Sequence, residues 1–340
     1  MITEAIAKVI ENQDLPEEMM GGAMEEIMGG QATQAQIAAL LIGLRMKGET
    51  VEEISAAARV MRKFATKINP STGQAGSDGI IVDTCGTGGD GTSTFNVSTA
   101  TAFVAAGGGL KVAKHGNRAV SSKCGSADVM EELGVNLGFT PEQVEKAIKE
   151  VGIGFLFAPL FHGAMKYAAP VRGEIGVRTI FNVLGPLTNP AGAAFQVLGV
   201  YQEDLTEKLA RVLGNLGSRA ALVVHGHGGM DELSITGPTR VAHLKDGRVT
   251  TFDTRPEEVG LSSASIDDIR GGDKKENAEI IRRIFQGETG PRRDIVLLNA
   301  AAVFFVVGLA SGLGEGVDLA REVIDSGRAR EKLEALINFG

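Results

Sequence analysis

From Gly79 onward the chain alternates buried strands with helices that stop at glycine, and this rhythm restricts the fold more than any other feature. GIIVDTC reads as a strand, STATAFVAAGGG as a helix ended by glycines, and LKVAKHG as a second strand. SADVMEELG is a further helix closed by Gly134, and Thr140, Pro141 and Gln143 open the next with a capping box and a first-turn proline. Farther on, FLFAP, FQVLGVY and AALVVHG read as strands, with LTEKLARVLGNLG as the helix between the last two. Continuous apolar strands separated by helices predict a mainly parallel sheet covered on both faces. TRVAHLKDGRVTTFDT departs from the rhythm, because two alternating strands meet at Asp246-Gly247, which predicts an antiparallel hairpin.

Residues 1–70 carry a different pattern, with apolar residues recurring at three and four. Thr33 with Gln36 and Thr50 with Glu53 form capping boxes, Pro16 suits a first helical turn, and Gly29-Gly30 ends a helix. Ile37, Leu40, Leu41 and Leu44 make one apolar stripe. About four short helices are expected. The following NPSTGQAGSDG is all turn formers. The expected fold class is therefore α/β: a small all-helical N-terminal domain at 1–70, a linker or hinge at 71–79, and a large α/β domain at 80–340 with a mostly parallel central sheet covered by helices.

A chain of 340 residues is long enough for two such units. The formal net charge of -8 argues against a nucleic-acid or anionic-membrane partner, since either rewards a strongly positive face. Two cysteines, Cys85 and Cys124, and no charged-then-apolar leader predict thiols in a reducing, cytoplasmic setting. The longest apolar run, Ile295 to Ala310, is shorter than the ~20 residues of a bilayer crossing and contains Asn299, so it reads as a buried core helix.

The first strand leads into GTGGDG, where Gly86, Gly88 and Gly91 match a dinucleotide fingerprint. That reading requires a helix at once and an acid at the end of the next strand, but TSTFN intervenes and the next strand ends in Lys114-His115. A Walker loop fails as well, because Thr92 stands where its lysine belongs. What remains is a loop whose amides can cradle an anion, followed by Asn96-Val97-Ser98-Thr99 at a helix start, where the dipole favours phosphate. A carboxylate such as Asp90 repels phosphate unless it faces sugar hydroxyls or a divalent cation, which points to a ligand with ribose, phosphates and metal. The alternative is a turn that merely packs helix on strand. KHGNRAVSSKCGSAD follows the second strand and sets Lys114, Arg118 and Lys123 beside Ser121, Ser122 and Ser126. Cations and hydroxyls at the carboxyl ends of parallel strands are where phosphate sites collect. Arg118 can equally be a surface ion pair, and Ser126-Ala127-Asp128 a helix cap.

Taken together, GTGGD at 86–90, NVST at 96–99, KHGNR at 114–118, SSKCGSAD at 121–128, PVRGEIGVRTIFNVLGPLTNP at 170–190 and HGHGGMDELS at 225–234 resemble the anthranilate phosphoribosyltransferases over nearly the whole chain. The resemblance implies transfer of the phosphoribosyl group of 5-phosphoribosyl 1-diphosphate to the amine of anthranilate, in tryptophan biosynthesis. It implies that Gly86, Gly89, Asp90, Thr94, Asn96, Val97, Ser98, Thr99, Lys114, His115, Gly116, Asn117, Arg118, Ala119, Val120, Ser121, Ser122 and Ser126 hold the sugar diphosphate. It places anthranilate at Gly86, Asn117 and Arg172. Arg172 is favoured over Arg178 as the carboxylate-binding fork, Arg178 being read as a tie between helices. Magnesium, two ions per subunit, would sit at Ser98, Asp231 and Glu232, whereas His225 and His227 without thiolates make a poor zinc site. His115 is a candidate acceptor for the amine proton. Also implied is a cytoplasmic homodimer formed through the helical domain, which helices near 170–185 complete. An association with the anthranilate synthase amidotransferase is left open. The rivals are a pyrimidine nucleoside phosphorylase-like enzyme, which needs no diphosphate-chelating metal, and a non-catalytic nucleic-acid-binding relative, which the net acidity opposes.

Overall fold

The computed structural model describes residues 1–70, 80–119 and 123–340. The linker expected at 71–79 lies outside these residues, as do Val120, Ser121 and Ser122. The chain opens with α1 (Ile2–Ile10), α2 (Glu17–Met28), α3 (Gln34–Lys47) and α4 (Val51–Phe64). Both expected capping boxes are formed, with Thr33 and Thr50 accepting from the amides of Gln36 and Glu53. Pro16 stands one place earlier than the first turn, as the residue before α2 with φ -56° and ψ 149°. Its ring fixes the φ a helix entry tolerates, while the extended ψ lets the chain arrive from outside. The stripe of Ile37, Leu40, Leu41 and Leu44 is buried.

The second part runs β1 (Ile81–Gly86), α5 (Val97–Gly107), β2 (Lys111–Gly116), α6 (Ser126–Leu133), α7 (Pro141–Glu150), β3 (Ile153–Phe157), α8 (Ala158–Phe161), α9 (Ala169–Ile175), α10 (Phe181–Leu184), β4 (Phe195–Gly199), α11 (Leu205–Asn215), β5 (Ala220–Gly226), β6 (Thr239–Lys245), β7 (Arg248–Thr254), α12 (Lys274–Phe285), α13 (Pro291–Val306), α14 (Leu313–Asp325) and α15 (Arg328–Ile337). The described residues form one sheet in the order β3-β2-β1-β4-β5-β6-β7. Its first five members are parallel, and β6 and β7 are antiparallel. The hairpin turns at Asp246 and Gly247 with φ of 49° and 75°, the left-handed pair that matches strand twist.

Alternation along the strands sends side chains to two cores. Val82, Val112, Val197, Leu222 and Val224 face α5 and α13. Leu198, Ala221, Val223 and Leu244 face α11 and share their cluster with α1–α4 and with Val171, Ile180, Phe181 and Leu184. The apolar run with Asn299 is the core of α13, buried as expected. Among the described residues no helix is long and apolar enough to cross a membrane.

One departure from a regular sheet prepares the site. Main-chain pairing of β1 with β2 covers only Ile81 with Lys111 and Val82 with Val112, whereas β1 stays paired with β4 up to Gly86 and Gly199. Beyond Val82 side chains bridge the widening gap. Lys114 Nζ donates to Thr84 O at 2.6 Å, and the His115 amide donates to Asp83 Oδ1 at 3.2 Å. Both side chains are buried, so each replaces a ladder bond that water would otherwise have to satisfy.

Candidate active site

The loops after β1, β2 and β5 meet above this opening, at the carboxyl ends of the parallel strands. In the first loop Gly88, Gly89 and Gly91 take φ of 70°, 70° and 77°, a left-handed path that only glycine follows at little cost. The Gly88 amide donates to Asp231 Oδ2 at 2.7 Å, and the Ser98 amide, in the first turn of α5, to Glu232 Oε1 at 3.0 Å. The amides expected to attract anions thus face the acid pair of the β5 loop. That pair lies directly on backbone. A Cβ on Gly86 would stand 2.2 Å from Asp231 Oδ2, one on Gly199 1.5 Å from Asp231 O, and one on Gly226 2.5 Å from Glu232 O. Three strand-end glycines therefore form a floor that admits the acids only because it lacks side chains.

Crowding shows in the ionisation. Burial, followed by the neighbouring Asp90 carboxylate, pushes Asp231 up to about 7, and burial with Asp231 beside it holds Glu232 well above the ordinary carboxyl range. The pair still keeps one face open to solvent. No three His, Cys, Asp or Glu side chains among the described residues are gathered as a closed metal centre. Two adjacent hard carboxylates, one of them accepting from the amide of Ser98, suit a divalent cation that takes its remaining oxygens from a phosphate ligand. His225 Nδ1 contacts Val200 O at 2.8 Å. Asp90 accepts from the Thr92 amide at 3.2 Å and from the Thr92 hydroxyl.

The β2 loop brings the cationic half. Lys114, 2 % exposed, reaches Ser98 Oγ at 3.4 Å as well as Thr84 O. The Asn117 amide donates to Ser126 Oγ at 3.2 Å. Arg118, expected to serve the sugar diphosphate, pairs with Asp128 at 2.9 Å and Glu131 at 2.9 Å, so its guanidinium anchors the loop to α6. Asp128 also accepts from the amides of Ala119 and Gly125, so the capping alternative holds for this stretch. Asn96 bridges loops, donating to Cys124 O at 3.2 Å and accepting from Asn277 at 2.9 Å. Thr94 bridges to Arg270 through backbone. Val97 and Thr99 are fully buried, and the Thr99 hydroxyl faces the core with no partner. Only the main chain of those two residues is available to a ligand.

On α9, Arg172 stacks over Phe181, 5.3 Å from the ring centroid, and no carboxylate among the described residues pairs with it. Burial lowers its affinity for a proton, the mark of a guanidinium short of hydration. Arg178 does not tie helices together. It donates to Gly89 O and lies over Tyr201 at 4.2 Å, fastening the segment after α9 to the glycine loop.

His115 Nε2 lies 3.2 Å from His162 Nε2. Burial, then the charges of His162 and Lys114, depress His115 to about 3, and burial depresses His162 to about 4. A ring held neutral this firmly is a weak acceptor for the amine proton. The unfolded chain protonates both imidazoles near 6.5 while the fold resists, so stability is complete above that pH and drains away as pH falls toward the folded values. We expect His162→Gln to reduce the loss of unfolding free energy between pH 7 and pH 5 by about 1–2 kcal/mol in urea titrations, at no more than ~1.4 kcal/mol per pH unit.

Several supporting residues escaped the sequence reading. Asp83 is fully buried, raised by burial, and accepts from Gln196 at 3.5 Å as well as from His115 N. Gln196 also donates to Pro186 O at 2.7 Å, and Asn189 to Ala113 O at 2.8 Å, joining the GPLTNP turn to the strands. For Asp83 and Gln196 a lone polar letter inside an apolar run was the available signal, whereas Asn189 lay within the motif at 170–190 without a role.

Residues 78–330 match the glycosyl transferase family, a/b domain, and residues 3–65 its helical bundle domain. The anthranilate phosphoribosyltransferase of Geotalea uraniireducens is 57% identical, the alignment covering 100% of this chain and 99% of that protein. The crystal structure of anthranilate phosphoribosyltransferase from Thermus thermophilus superposes with a TM-score of 0.92 at 46% identity, covering 98% of each chain. That of Saccharomyces cerevisiae, in complex with PRPP and Mg, gives 0.88 at 30% identity over 99% of this chain and 97% of that one. The yeast protein is also known in complex with 4-fluoroanthranilate.

Proposed function

This chain belongs to the glycosyl transferase family that includes the anthranilate phosphoribosyltransferases, and from that membership we infer what each part of the crevice does. The enzyme transfers the phosphoribosyl group of 5-phosphoribosyl 1-diphosphate to the amine of anthranilate and releases diphosphate, a step of tryptophan biosynthesis. The observation that carries this reading is the Asp231-Glu232 pair, seated on glycine backbone beside the amides of a left-handed glycine loop. Amides and a cation-seeking acid pair in one crevice suit a ligand that is polyanionic and chelated.

Asp231, Glu232 and Ser98 would hold magnesium, which when bound offsets charge on the departing diphosphate. The glycine loop and the start of α5 orient the diphosphate, Lys114 lends positive charge beneath Ser98, and the loop from Gly116 to Ser126 receives the phosphoribosyl end. Val120, Ser121 and Ser122 belong to that proposal on sequence grounds alone. As the C1–oxygen bond to diphosphate breaks, its electron pair leaves with the diphosphate, and the anthranilate nitrogen forms the new bond to C1 before shedding a proton. An aromatic amine is nucleophilic when neutral, so positioning and charge stabilisation suffice and no general base is assigned. His115 then shapes the anthranilate pocket together with Asn117 and the Gly86 backbone.

Arg172 pairs with no carboxylate among the described residues, and its guanidinium receives the carboxylate of the acceptor. With magnesium and the sugar diphosphate present, anthranilate fluorescence should decay as the product forms. Arg172→Ala should raise the anthranilate KM about 10- to 100-fold, in line with a charge-assisted fork, and change the KM for the sugar diphosphate little. Arg172→Lys should recover only part of the loss, because an ammonium cannot make the fork. A protein that never consumes anthranilate fails the functional reading itself.

The finer features are proposed on the same basis. Two magnesium ions per subunit accord with a site that leaves most of the coordination to phosphate. A homodimer through the helical domain would cover the exposed Ile10 and Met46. Domains at 1–70 and 80–340, the former completed by helices near 170–185, are proposed on sequence grounds with 71–79 as linker or hinge, and the enzyme is cytoplasmic.

A further inference from the structure

Helix α13 is apolar along nearly its whole buried length, yet it places one amide, Asn299, 1 % exposed, in the middle of that run. Its Oδ1 accepts from the Leu233 amide at 3.0 Å, and its Nδ2 donates to Leu233 O at 2.9 Å and to Ile295 O at 2.9 Å. Every bond but the one to its own helix goes to a single residue, and both main-chain groups of that residue are taken. Leu233 directly follows the acid pair, and its own side chain is fully buried. If α13 needed only to fill space, leucine would do so without the cost of burying an amide. What leucine cannot do is hold the Leu233 peptide in one orientation.

The glycine floor explains why Asp231 and Glu232 can lie where they do, but a floor limits approach from one side only. The amides of Gly88 and Ser98 contact the carboxylates themselves and are the groups a ligand would compete for. Asn299 supplies a second hold, on the Leu233 peptide, that no ligand can displace because it is sealed in the core. We propose that Asn299 is a positioning residue for the acid pair, fixing the Leu233 peptide so that Asp231 and Glu232 present their carboxylates jointly to a divalent cation. This rests on the reading of the pair as cation ligands.

The test is direct binding of Mn²⁺ to the full-length protein with inorganic diphosphate present, read from the electron paramagnetic resonance of free Mn²⁺. Asn299→Leu should bind Mn²⁺ at least about tenfold more weakly than the parent. The magnesium concentration for half-maximal rate should rise in step, with the anthranilate KM at saturating magnesium unchanged. A role confined to core stability would lower the melting temperature and leave both metal readouts alone, and that result overturns the proposal. Asp231→Asn is the reference: if it binds Mn²⁺ as the parent does, the reading of the acid pair fails. If it loses Mn²⁺ while Asn299→Leu does not, only the role of Asn299 falls. Should Asn299→Leu not fold, Asn299→Ser is measured instead, its hydroxyl being too short to reach both Leu233 atoms. The same weakening is expected, and parental affinity refutes the assignment.

Discussion

Gly199→Ala should cost at least about 100-fold in kcat/KM, a loss of the size expected when catalytic groups shift by an ångström. The added Cβ would fall 1.5 Å from Asp231 O and 2.2 Å from its carbonyl carbon. Backbone cannot rotate aside as a flexible side chain can, so the acid segment is lifted off the end of β4. The fold should survive with a melting temperature several degrees lower, the penalty of overpacking being about 1–3 kcal/mol. The contrast with Gly88→Ala is informative. There the added Cβ meets nothing within 4 Å, but φ is 70°, so the cost is strain of about 1–2 kcal/mol with no collision. Steady-state kinetics on the two variants should therefore rank them far apart, and equal losses would show that the floor is not what seats the acids.

Asp231→Asn should lower kcat/KM by about 10²–10³-fold, the range for losing one preorganised electrostatic group. Its requirement for magnesium should flatten at the same time. The amide keeps the shape and can still accept from the Gly88 amide, so charge is what changes. Stability should move the other way. A carboxyl raised from 3.8 to about 7 in the folded state opposes folding progressively as pH climbs between those values, and fully above the upper one. Removing it should stabilise the metal-free protein at pH 8 on the order of 2 kcal/mol, seen as a melting temperature a few degrees higher. Slower catalysis in a sturdier protein would mark Asp231 as a group retained for chemistry at the expense of the fold. A destabilised Asp231→Asn would contradict the account of crowded charge.

Much of this architecture was legible because it is written locally. Capping boxes at Thr33, Thr50 and Thr140 set helix starts through contacts three residues apart, and Asp246-Gly247 sets its hairpin through two dihedral angles. The glycine run of the first loop was legible for the same reason, whereas the acid pair Asp231-Glu232 stood out only through the resemblance to a known family. What stayed hidden depends on separation in sequence. Gly199 reads as one more letter of FQVLGVY, and its purpose appears only when Asp231 crosses it. Asn299 looked like a flaw in an apolar helix until Leu233, 66 residues away, came to rest beside it. Asp83 and Gln196 lie in strands that otherwise follow the apolar pattern, and their value comes from neighbouring strands. For Arg118 the sequence offered two roles, and the fold shows the ion pair with Asp128 and Glu131.

The division of labour between the strand ends and α9 has an evolutionary consequence. Everything that would activate the sugar is built from loops after β1, β2 and β5, whereas the guanidinium proposed for the acceptor comes from a short helix packed on another part of the molecule. Changes around Arg172 can therefore alter which nucleophile is admitted while leaving the electrophile's machinery intact. Such a scaffold can diversify its acceptors by revising one helix.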